Sequence, residues 1–263
     1  MNANEIDYQI FGEEMQYVSI ELDPQETVIA EPGAFMMMED GIQMETLFGD
    51  GSQENTGFFG KLLKAGTRVL AGESLFMTAF SNNQNGKRKV SFASPYPGKI
   101  IPLDLSNLNG KVICQKDAFL CAAKGVSIGI EFQRKLGTGL FGGEGFIMEK
   151  LEGDGLAFLH ACGHVIEKEL TSGELLKIDT GCIVGFTSSV NYDIQFVGGI
   201  KNTLFGGEGL FYATLTGPGK VWIQTLPISR LAGRILAYAT TTRKEEGSIL
   251  GGIGNLLDGD GIR

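Results

Sequence analysis

The sequence predicts an all-β fold assembled from tandem copies of one unit. Three observations carry that expectation. The stretch Leu140-Phe141-Gly142-Gly143-Glu144-Gly145 returns letter for letter as Leu204-Phe205-Gly206-Gly207-Glu208-Gly209, an offset of 64 residues (208 − 144). Glycine is abundant, 39 residues against 7 prolines, and falls in short clusters that suit tight turns between strands. Between those clusters lie apolar runs of strand length, with turn signals about every eight to twelve residues, the spacing of a sandwich or barrel.

Taken in order, the chain divides into three units, approximately 5–98, 107–163 and 172–227, within a single β domain of residues 1–240. A Gly-rich tail, 241–263, follows. In the first unit, Val28-Ile29-Ala30 through Gly33-Ala34-Phe35 matches Val112 to Phe119, and Ala71 to Phe76 stands where Gly142 to Ile147 stands. Val90 to Ala93 closes its hairpin. The second unit runs from Val112 through Ile128–Phe132 and the duplicated hexapeptide to a hairpin of Phe146–Leu151 and Leu156–Cys162. The third repeats this plan from Leu175–Ile183 through Tyr192–Phe196 to Leu210–Leu215 and Lys220–Leu226. Its turn, Thr216-Gly217-Pro218-Gly219, has the composition of a type II turn, with Pro218 at the first central position and Gly219 at the second. One unit cannot bury its own apolar face, so three units packed about a pseudo-threefold axis would shield one another. Short helices are expected near Lys61–Leu70 and over Ser229–Leu236, after Pro227.

Composition narrows the function classes. Hydrophobic residues make up 43% and charged residues 20%, a globular balance. The net charge of −9 disfavours non-specific nucleic-acid binding, which depends on neutralising phosphates. Met1 to Ile10 is polar and acidic, so no secretory leader is expected, and no run approaches the ~18–20 apolar residues of a spanning helix. Cys114, Cys121, Cys162 and Cys182 contain no C-x-x-C pair, which suits buried thiols in a reducing cytoplasm.

The segments GLFGGEGF, GEGLFYATLTGPGKVWIQTLP, ELLKIDTGCIVGFTSSVNYDIQFVGG and LPISRLAGRI resemble the bacterial AIM24 family, over about residues 5 to 240. The resemblance implies an all-β fold like that of the tryptophan RNA-binding attenuation protein, a pseudo-threefold β-sandwich or double-stranded β-helix of three units. It implies no enzyme activity, no cofactor and no agreed ligand, and it carries no catalytic residues across.

Candidate sites are few. His160, Cys162 and His164 alternate on one strand face and form a weak metal-ligand set, yet residues two apart on a strand sit ~6.5–7 Å from each other. The repeat aligns His160 with Gln224, which points to hydrogen bonding instead of metal binding. No G-x-S-x-G, phosphate-binding loop or acid–base pair stands out. The loop residues Phe58, Phe59, Leu140, Phe141, Leu204 and Phe205 would share one end of the molecule, near Lys61, Lys64, Arg68, Arg134, Lys135 and Lys201. Such an apolar end ringed by bases suits a membrane surface or a protein partner. Met36-Met37-Met38 is expected as core filler and Trp222 as core packing. The residues therefore favour a non-catalytic structural or interaction protein, homo-oligomeric with three copies, because repeated β units expose strand edges that neighbouring subunits cover. The alternative is a small-molecule or glycan binding module with a cavity lined by His160, Gln195 or Gln224.

Overall fold

Strand patterning is plainest in Tyr17–Leu22, where half-buried and buried residues alternate as a pleated strand with one face on a core requires. The computed structural model describes residues 3–48, 76–134, 146–196 and 211–238. Phe58, Phe59, Leu140, Phe141, Leu204 and Phe205 lie outside the described residues, as do both copies of the hexapeptide and the helix expected near Lys61–Leu70.

The first strands are β1 (Asp7–Phe11), β2 (Tyr17–Leu22), β3 (Thr27–Ala30), β4 (Phe35–Met38), β5 (Ile42–Phe48), β6 (Phe76–Asn82) and β7 (Arg88–Ala93). Next come β8 (Gly98–Asp104), β9 (Lys111–Gln115), β10 (Phe119–Ala123), β11 (Ser127–Arg134), β12 (Phe146–Glu152) and β13 (Leu156–Cys162). The last six are β14 (Val165–Leu170), β15 (Leu175–Asp179), β16 (Ile183–Thr187), β17 (Asn191–Phe196), β18 (Phe211–Thr216) and β19 (Gly219–Gln224). Among the described residues one α-helix, α1, covers 228–238, where Pro227 supplies a residue that starts helices well.

These strands form antiparallel sheets, two of them six-stranded, in the orders β5-β6-β3-β10-β13-β8 and β11-β12-β9-β16-β19-β14. Two smaller sheets have the orders β1-β2-β7-β4 and β15-β18-β17. Three pairs share one irregularity. The ladder shifts between Phe35 and Met37 in β4 against β7, between Phe119 and Cys121 in β10 against β13, and between Ile183 and Gly185 in β16 against β19. A bulge adds twist at a fixed place. Here it falls at the same distance after the corner that leads into each strand. The corners themselves are 3-10 turns at Lys116–Ala118 and Thr180–Cys182, and a tight turn over 31–34.

Apolar side chains gather in three clusters between the sheets. One holds Val18, Ile20, Phe80, Phe92 and Phe158; a second holds Val112, Leu159, Val184 and Trp222; the third holds Ile113, Phe146, Phe186 and Val221. Fully burying each such side chain is worth about 1.5–3 kcal/mol, so packing between sheets carries the fold. Trp222 is buried as expected, and its indole N–H donates to Glu167 at 3.1 Å. The turn after β18 departs from expectation: the Gly217–Pro218 peptide is cis, although Gly219 does take a positive φ of 143°. Cys114, Cys121 and Cys162 are buried free thiols and Cys182 is half-buried.

Candidate functional site

The outermost strand of the first small sheet is an apolar segment exposed along its whole length. Its approach is set by the turn over 31–34, in which the Ala34 amide donates to the Glu31 carbonyl at 3.1 Å and Gly33 takes φ +91°, a conformation that side chains resist. The Ala93 amide then donates to the Ala34 carbonyl at 3.0 Å, laying β4 beside β7. All four residues of β4 are exposed: Phe35 41%, Met36 48%, Met37 48% and Met38 40%. Met44 on β5 is open as well. This corrects the expectation that Met36–Met38 fill the core. The physical reason is position: β4 ends its sheet, so among the described residues no neighbouring strand covers its outer side. Phe35 is anchored by its ring, stacked on Phe80 at 5.4 Å between centroids. An edge strand without charge is a template for further pairing, and flexible thioethers adapt to whatever packs on them.

The second small sheet also ends on an open strand. Among the described residues β15 pairs only with β18. Leu175 is 66% exposed, Lys177 lies over the Tyr212 ring at 5.4 Å, and Ile178 is buried. Its far end is fixed by Asp179, whose carboxylate accepts from the Gly181 amide at 2.8 Å and pairs with Arg230 of α1 at 3.3 Å.

His160, Cys162 and His164 are not brought together as a metal site. His160 is buried on β13, against Tyr96 at 5.0 Å between ring centroids and with Nδ1 3.4 Å from the Ser94 hydroxyl. Burial pulls its pKa down to about 4, partly opposed by a bond to the Phe119 backbone, so it is neutral at physiological pH. His164 is exposed beyond the turn at Gly163, and its amide donates to the Thr225 hydroxyl at 2.9 Å. Among the described residues no group of three or more His, Cys, Asp or Glu side chains is placed to hold a metal. Gln224 accepts from the Cys162 amide at 2.9 Å and donates to the Gly181 carbonyl at 2.8 Å, tying β13 to the corner before β16. Gln195 accepts from the Tyr212 hydroxyl at 2.6 Å and donates to Asp193 at 3.1 Å. His160, Gln195 and Gln224 thus serve separate local bonds.

Sequence reading missed a pair of interacting carboxyls. Glu149 on β12 is 3% exposed, and burial, with Glu31 and Asp117 adding to it against Lys116, pushes its pKa up to about 8. Glu31, at the corner after β3, is raised to about 7 by burial and by Asp117. Both carboxyls hold their protons to higher pH than an exposed acid does. In the ladders Thr78 and Ala213 face Ala30 and Ile178 where Glu149 faces Cys114, so an acid stands where its counterparts are small and uncharged; the trace of this in the sequence is the 64-residue offset, which sets Glu149 against Ala213.

Fold and site together define an antiparallel all-β protein with an apolar strand edge left open. The chain belongs to the AIM24 family: residues 8–226 match the family described as Mitochondrial biogenesis AIM24. It is 30% identical over 234 residues to an uncharacterised protein of Streptococcus pyogenes serotype M6, covering 87% of this chain and 89% of that relative. A crystal structure of a Streptococcus pyogenes protein from a structural-genomics programme aligns with a TM-score of 0.70 at 24% identity, over 89% of this chain and 100% of that one. That likeness is one of fold. No described helix is long and apolar enough to cross a membrane.

Proposed function

We propose that this protein works without catalysis, as an interaction protein that self-associates into a homo-oligomer of three copies. The reading includes three tandem β units, as in the tryptophan RNA-binding attenuation protein fold, and a reducing cytoplasmic setting. The single observation that supports it most is the exposure of every residue of β4 at an open sheet edge. Soluble proteins usually blunt such edges with charge, proline or a covering element. Support for the tandem units comes from the bulge shared by β4, β10 and β16. The buried thiols suit the reducing compartment. A net charge of −9 argues against nucleic acid as the partner.

The test is the solution mass. Light scattering at micromolar concentration is expected to give a multiple of the chain mass, and Met37→Asp with Met38→Asp is expected to reduce it to one chain. A strictly monomeric wild type rejects the reading.

A further inference from the structure

Inside the chain, strands equivalent to β4 and β15 are already paired with each other. The outer side of β10 is covered by β3 of the preceding unit, with Cys121 opposite Ala30, Ala122 opposite Ile29 and Ala123 opposite Val28. The outer side of β16 is covered by β9 in the same way, with Gly185 opposite Cys114, Phe186 opposite Ile113 and Thr187 opposite Val112. The shared bulge makes Met37 the counterpart of Cys121 and Gly185. Ile178 is the counterpart of Ala30 and Cys114, since each stands five residues before the first residue of the next strand (35 − 30, 119 − 114, 183 − 178).

From this we infer that β4 of one chain pairs antiparallel with β15 of a second copy, joining the copies head to tail. The register carries over: Met37 opposite Ile178, Met38 opposite Lys177, Glu39 opposite Leu176. Joined so, the two small sheets form one seven-stranded sheet in the order β17-β18-β15-β4-β7-β2-β1, whose first six strands follow the plan of β5-β6-β3-β10-β13-β8 and β11-β12-β9-β16-β19-β14. Burial points the same way. Cys121, Ala122 and Phe186 are fully buried at the internal junctions, whereas Met37 and Met38 at the equivalent places are 48% and 40% exposed. Each chain carries one edge of each kind. The contact is therefore heterologous, and it closes into a ring or continues as a filament.

The inference rests on the self-association proposed above, and the experiment separates the two. Full-length Met38→Cys protein is mixed with a differently tagged Lys177→Cys protein under mild oxidation, while light scattering follows the mass. Disulfide formation between them is expected at least tenfold faster than between Met38→Cys and Leu175→Cys, which is offset by two residues on the same face. The next rung, Glu39→Cys with Leu176→Cys, is expected to link as well and guards against a folding defect in either first variant. Matched pairs no faster than the offset pair, or Met38→Cys linking chiefly to itself, with the mass still multimeric, overturn head-to-tail pairing and leave self-association standing. A monomeric mass removes both.

Discussion

Replacing Glu149 by Gln is expected to change how stability depends on pH, and the structure sets both sign and size. The carboxyl is 3% exposed on β12, faced by Glu31 and Asp117 from the first two corners, by Lys116 and by Cys114 across the ladder. Its folded pKa of about 8 exceeds the ordinary value of 4.5. Above pH 4.5 the unfolded chain gives up this proton while the folded chain keeps it, so the wild type loses stability as pH rises and levels off past about 8. At about 1.4 kcal/mol per pH unit, the loss is about 3 kcal/mol at pH 7 and about 5 kcal/mol at pH 9, upper figures because the protein relaxes around a buried charge. Glutamine keeps the shape but does not titrate. Urea unfolding at pH 5, 7 and 9 should show Glu149→Gln gaining on the wild type by several kcal/mol across that range. Parallel stability curves for the two proteins would refute the reasoning.

Other substitutions probe the remaining parts of the account. His160 is held neutral with a pKa of about 4 against the usual 6.5, so its contribution is lost as pH falls from 6.5 towards 4. His160→Gln should flatten that acid limb by about 3 kcal/mol, read from unfolding at pH 7 and pH 4.5. Trp222→Ala empties a buried site and leaves Glu167 without the indole donor; a loss of about 3–5 kcal/mol in urea unfolding is expected. Gly185→Ala would place a Cβ 2.9 Å from the Ile113 carbonyl at the β9–β16 junction, a clash with backbone that should cost about 1–3 kcal/mol. An unchanged melting temperature for Gly185→Ala would mean that junction is looser than drawn.

The strands were legible because glycine clusters and apolar runs mark them locally. Phe146–Leu151 and Leu156–Cys162 were read nearly to the residue, and α1 was marked by Pro227. The role of Met36–Met38 was not legible. An apolar triplet reads as core, and only sheet order shows that no described strand covers it. Glu149 was hidden for the opposite reason: a lone acid next to Lys150 looks solvated, and its burial depends on β9 lying across from it. The same dependence on distant partners explains His160 and Gln224. Their alignment was visible in the repeat, but the bonds that use them reach to Ser94 and to the corner at Gly181.

The mass of the intact protein in solution bears most directly on the open edge. Three chains of 28.2 kDa give about 85 kDa by light scattering, falling to one chain when Met37 and Met38 become aspartate. A wild type that stays at 28.2 kDa throughout the micromolar range would contradict the account, because β4 would then face water with no partner of its own kind.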